Sequence, residues 1–89
     1  MAWALTPLIS VMESVGRYEQ ERQLAERGLE LSAHLPDYFR AIFSAQLGVA
    51  KLRLGLRPAA AIDLERASQL AAVSPYWGGV ALSYLGIIA

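Results

Sequence analysis

Residues 47–67 read LGVAKLRLGLRPAAAIDLERA, and the fold turns on how this stretch is parsed. Two amphipathic segments are separated by Gly55-Leu56-Arg57, and Pro58 follows at once. Proline fits the first turn of a helix, where its missing N–H would have no intrahelical partner, so Pro58 marks a fresh start. Beyond it, Ala60 and Ala67 flank Leu64 at helical spacing, and such small residues let a second helix lie close. The stretch is therefore an antiparallel helical hairpin.

Working upstream, residues from about Tyr38 to Leu54 are apolar on nearly every side, with Phe39, Ile42, Phe43, Leu47, Val49, Leu52 and Leu54. Such a helix expects burial on more than one face. His34-Leu35-Pro36-Asp37 breaks the chain before it, and Asp37 is placed to cap it. From Arg17 to Ser32 a more polar helix is lined by Tyr18, Leu24, Ala25, Gly28 and Leu31. Its charges pair at four-residue spacing, Arg17 with Glu21 and Arg22 with Glu26, each adding about 0.2–0.5 kcal/mol as a solvated face. Gly16 separates it from a first helix over about residues 2–15, marked by Trp3, Leu5, Leu8, Ile9 and Met12. Pro7 fits best in a first turn, which offers a later start near Leu5 or Thr6, with Thr6 a candidate cap.

Downstream, a fourth helix runs from Pro58 to about Val73 and keeps Asp63, Glu65 and Arg66 outside. Ser74-Pro75 breaks it, with Ser74 capping a fifth helix from Tyr76 to the end. No window alternates with period two, so no strand is expected.

Composition narrows the classes of function. The chain has 89 residues, 55% of them hydrophobic and 18% charged, against a usual ~45–50% and ~25%. Eight basic and eight acidic side chains cancel, which removes the basic stripe that nucleic acid would require. There is no cysteine, hence no disulfide frame and no thiolate metal site. The absence of cysteine and of a recognisable signal peptide leads us to expect a cytoplasmic protein. The single histidine, His34, cannot build a histidine triad or a multi-histidine metal site, and Gly78-Gly79 lacks the Gly-Lys-Ser/Thr of a phosphate loop. No enzyme, cofactor or metal is expected. The run from Ala67 to Ala89 carries no charge, which raises the alternative of a membrane-associated helical protein; Gln69, Ser74-Pro75 and Gly78-Gly79 interrupt it.

Self-similarity joins these segments. Superposing Gly16 on Gly55, an offset of 39 residues, brings Leu5, Leu8, Ile9, Met12, Ala25 and Gly28 onto Ser44, Leu47, Gly48, Lys51, Leu64 and Ala67. An offset of 33 brings Ser44, Leu47 and Gly48 onto Trp77, Val80 and Ala81. The pattern Trp77-x2-Val80-Ala81-x2-Tyr84, with Leu47-Gly48 and Ala60-x3-Leu64-x2-Ala67, resembles the tetratricopeptide (TPR) repeat, in the loose form found in bacterial signal-responsive regulators. Departures include Glu21 where the repeat has alanine, Ala25 where it has a large aromatic, Ser44 for tryptophan and Lys51 for tyrosine.

The resemblance implies one all-α domain over residues 1–89: antiparallel helix hairpins stacked as a short right-handed TPR-like solenoid of about five helices. Repeat one would cover about 2–36, repeat two about 37–73 and a half repeat 74–89. It further implies a protein- or peptide-binding module, a scaffold or regulatory segment. Its concave groove would be lined by Thr6, Ser10 and Glu13, then Ala45, Val49, Leu52 and Arg53, then Gly78, Leu82 and Leu85. That groove reads as small, apolar and nearly uncharged, suited to a hydrophobic or helical partner. On the fifth helix Trp77, Val80, Ala81, Tyr84 and Ile88 share one face, while Leu82, Leu85 and Ile87 point elsewhere. Side by side these aliphatics make a patch of the size that marks interfaces, so a homodimer or contact with further repeats is expected there.

Overall fold

In the computed structural model, which describes residues 5–88, five α-helices follow one another: α1 (Leu5–Ser14), α2 (Tyr18–Leu31), α3 (Asp37–Arg53), α4 (Arg57–Gln69) and α5 (Pro75–Ile88). A short 3-10 turn, Ser32–His34, joins α2 to α3. Among the described residues there is no strand. Trp3, the start expected for the first helix and Ala89 lie outside the described residues, as does the side chain of Ile88.

The two glycines set the architecture. Gly16 and Gly55 take φ of 77° and 82°, a left-handed conformation that costs glycine nothing. Each ends its helix in the same way: Gly16 N–H donates to Glu13 O and Arg17 N–H to Met12 O, while Gly55 N–H donates to Leu52 O and Leu56 N–H to Lys51 O. These paired bonds occupy carbonyls that the helix end leaves open. The next residue repeats as well, Arg17 at φ −90°, ψ 66° and Leu56 at φ −92°, ψ 61°. The corners α1–α2 and α3–α4 are thus the same turn, used twice.

Helix α3 is the centre. It packs on all four other helices, and residues 41 to 50 are buried without interruption. On one side Phe43 and Leu47 join Ile9 of α1 and Ala25 of α2. On the other, Ala45 and Val49 join Leu64 and Ala67 of α4 and Ala81 of α5. Close approach is bought by missing side chains: a Cβ on Gly48 would stand 2.6 Å from Leu64, one on Gly28 would strike the Phe43 ring, and one on Gly78 would stand 2.5 Å from Ala71.

Several expectations from sequence need correction. Asp37 is the first residue of α3, not its cap; the cap is Pro36, and Asp37 instead pairs with Arg40 at 3.4 Å. Helix α4 stops at Gln69 rather than Val73, because its bonds shorten to three-residue turns from Leu70 to Val73. Ser74 precedes α5, but its hydroxyl is buried and finds no hydrogen-bond partner among the described residues. Asp63 is buried rather than outside: three residues after Ala60 and four before Ala67 it shares their buried face, and it meets Lys51 of α3 at 2.8 Å and Arg66 at 3.3 Å. Glu65 and Arg66 do face solvent. No helix among the described residues is long and apolar enough to cross a membrane, which leaves the uncharged run of α5 short of a span.

Candidate functional site

Helices α1, α3 and α5 line an open cleft of about 270 Å³, with one further side chain from α2. Ser10, Glu13 and Ser14 come from α1, Glu21 from α2, Gln46 and Val49 from α3, and Tyr76, Trp77, Val80 and Tyr84 from α5. A neighbouring hollow lined by Thr6, Pro7, Tyr38, Phe39 and Ile42 shares Trp77 with it. Trp77 and Tyr76 meet edge to face, ring centroids 5.2 Å apart.

Two polar side chains of this cleft are buried, from two different helices, while Ser10 and Ser14 are exposed at its mouth. Glu21 is only 2% exposed and Gln46 only 4%. Glu21 stands 39 residues before Ala60, and in each hairpin this residue donates the first helical bond after the turn, Glu21 N–H to Arg17 O and Ala60 N–H to Leu56 O. Ala60 at that place is fully buried. The turn therefore drives a carboxyl group into the position where the second hairpin keeps a methyl. The expected surface pair of Arg17 with Glu21 does not form; of the two expected pairs only Arg22–Glu26 does, at 2.8 Å, and Arg22 also holds Glu19.

Burial pushes the Glu21 carboxyl up to about 8, aided by hydrogen bonding with the Glu13 carboxyl and by its negative charge, while Arg53 pulls the other way. Charge removed from water favours the neutral acid, and a second carboxylate beside it favours it further. Glu21 thus holds its proton at neutral pH. Glu13 Oε1 accepts from Arg53 Nε at 2.8 Å. Arg53 also lies over the Tyr84 ring at 5.8 Å from its centroid, and its guanidinium is held above its ordinary value chiefly by the Glu13 hydrogen bond. One side of the cleft is a cation held between a carboxylate and an aromatic face.

The expected groove residues divide. Ser10, Glu13 and Val49 line the cleft, and Arg53 reaches it through Glu13. Ala45 is fully buried in the core, while Val49, 7% exposed within the same cluster, also walls the cleft. Leu52 is half-buried. Leu85 packs against the core, whereas Leu82 and Ile87 are 57% and 69% exposed on the outside of α5. The groove holds two carboxyl groups, Glu13 paired with Arg53 and Glu21 protonated at neutral pH. Glu21, Gln46 and Tyr76 are lining residues that the repeat pattern alone does not single out.

Compared with known proteins, the chain matches no family model, no curated protein and no solved structure.

Proposed function

We propose that this chain is a peptide-binding helical-repeat module, a short right-handed solenoid of the tetratricopeptide kind that works as a scaffold or regulatory segment and has no catalytic role of its own. The single observation that carries this reading is the cleft lined by α1, α3 and α5, the first helices of the successive pairs. Stacked hairpins place their first helices along one face, and that face is where such arrays take an extended or helical segment. The recurrence of one turn at Gly16 and Gly55 supports the stacking. The test is selection from a random peptide library, with binding mapped by amide chemical shifts. Selected peptides should perturb Ser10, Glu13, Val80 and Tyr84, and Ser10→Trp, which fills the mouth from an exposed position, should abolish binding without unfolding the chain. Peptides that bind equally well to Ser10→Trp, or a library that yields none, would count against the module.

A second contact surface is favoured by α5. This helix carries no charged residue, and Tyr76, Leu82 and Ile87 expose 72%, 57% and 69% of their surfaces. In a two-fold dimer the same face meets itself. Sedimentation should then show a concentration-dependent dimer that Leu82→Glu with Ile87→Glu disperses. A wild-type chain that stays monomeric at tens of micromolar removes this surface from the account.

A further inference from the structure

The polar side of the cleft is built from acceptors. Glu13 Oε2, Glu21 Oε1 and Gln46 Oε1 are all buried; the Glu21 proton serves the Glu13–Glu21 pair, and once it leaves no donor among the described residues reaches any of the three. Gln46 is fixed in this role, because its Nε2 donates to Thr6 O at 3.4 Å and leaves the oxygen over. With that proton gone, three acceptors from three helices disfavour an anion and offer little to a carbonyl. They call for a group rich in donors and free of acceptors, and an ammonium, with three N–H bonds and no lone pair, is that group. Buried acceptors left unpaired cost free energy, so a donor that enters gains more than it would at the surface.

The apolar side agrees. Trp77 and Tyr76 stand against the same cleft, and tryptophan is the aromatic face that best attracts a cation. Arg53, between Glu13 and the Tyr84 ring, shows that this chain already holds one cation by a carboxylate and an aromatic ring together. A guanidinium wants two parallel acceptors in its plane, whereas single acceptors from separate helices suit a compact ammonium. A hard metal ion is a poorer fit: among the described residues no three acidic or histidine side chains gather, and calcium takes about 6–8 oxygens.

We propose that the cleft binds an alkylammonium group, inserted between the Trp77 ring and the oxygens of Glu13, Glu21 and Gln46. The group belongs to a lysine side chain of a bound peptide or to a free amine, and the peptide source rests on the module reading above. The charged and titratable groups around Glu21 are Glu13 of α1, Arg53 of α3 and, through Arg53, Tyr84 of α5 and Tyr18 of its own helix. Because Glu21 holds a proton up to about pH 8, the arriving cation displaces it, one proton released for each cation bound. Affinity then rises about tenfold per pH unit below that value and levels off above it.

The experiment follows the indole N–H signal of Trp77, assigned with a Trp3→Phe variant, during titration of the full chain between about pH 6 and about pH 9. Four probes are used: n-butylammonium chloride, 1-butanol, acetyl-Gly-Lys-Gly-amide and its norleucine analogue. The proposal expects a saturable shift with the ammonium probes alone, an affinity that climbs with pH, and at least a tenfold loss near pH 8.5 in Glu21→Gln, with its pH dependence gone. Glutamine mimics the protonated acid, so this variant keeps its fold, checked by circular dichroism. Equal responses to butanol and butylammonium would overturn the proposal, as would no saturable shift by about 100 mM ammonium or unaltered binding by Glu21→Gln. A norleucine peptide that binds in the cleft as well as the lysine peptide overturns the cation site and leaves the peptide module standing. Butylammonium binding with no response to the lysine peptide upholds the cation site and removes the peptide module.

Discussion

The hairpin α1–α2 and the hairpin α3–α4 share a corner down to the backbone angles at Arg17 and Leu56, yet their interiors are unlike. In the second, Gly48, Ala60, Leu64 and Ala67 make a dry contact in which α4 lies directly on α3, and the buried charge beside it, Asp63, is paired with Lys51 and Arg66. In the first, the residue in the place of Ala60 is Glu21, and the space beside α1 holds two carboxyl groups, an amide and the approach of Arg53. The turn chemistry is indifferent to this exchange, because glycine at the corner and the paired bonds across it involve only backbone. One hairpin is built for stability. The other trades packing for a polar cleft.

The largest consequence falls on the dry hairpin. Leu64 is fully buried, so Leu64→Ala should cost about 2–5 kcal/mol, a large fraction of what a small domain has. Chemical denaturation checks it; a loss below about 1 kcal/mol would mean the α3–α4 contact is not the stabilising one.

In the wet hairpin the expected effect has the opposite sign. Glu21 has an ordinary value of 4.5 and a folded value of about 8. Above about pH 4.5 the unfolded chain sheds a proton that the folded chain keeps, so stability falls as pH rises through this window and levels off above about 8. Glu21→Gln carries no such proton, and denaturation at pH 7 should find it about 2 kcal/mol more stable than the parent, with the slope between pH 5 and 8 flattened. A destabilised Glu21→Gln with an unchanged slope would break the contrast between the hairpins.

The corner itself should respond alike in both. Gly16→Ala and Gly55→Ala each force a side chain into a left-handed backbone and should each cost about 1 kcal/mol. No atom stands within 4 Å of a Cβ at either site, so the cost is conformational alone, and unequal losses would show that the two turns are not equivalent. The smallest effect belongs to Glu65→Ala, an exposed residue beside Leu64, at under about 0.5 kcal/mol by thermal melting.

Much of this architecture is legible in the sequence, for physical reasons. Glycine is readable at a helix end because few other residues take its backbone, so Gly16 and Gly55 announce both corners. The apolar circumference of residues 39–54 likewise announces a helix buried all round. That same feature hides the faces: where every side is apolar, periodicity cannot say which residues meet which neighbour, and Ala45 lies in the core while Val49 belongs both to the core and to the cleft wall. Glu21 is obscured differently. Its spacing from Arg17 offers an ordinary surface pair, although its alignment with Ala60 marks a buried position. Asp63 is hidden likewise, since its partner Lys51 lies on another helix. At Glu21 local charge spacing points outward and the distance from the glycine corner points inward, and burial follows the corner because the turn fixes the helix's rotation.

The contrast between the hairpins rests on the protonated carboxyl of Glu21. Its titration can be followed directly through the side-chain carboxyl carbon in a uniformly carbon-13-labelled chain, assigned by comparison with Glu21→Gln. The midpoint should lie near 8, with Glu13 sensing the same event. A midpoint for Glu21 near its ordinary 4.5 would mean that the carboxyl is solvated, and the cleft would lose the feature that sets it apart.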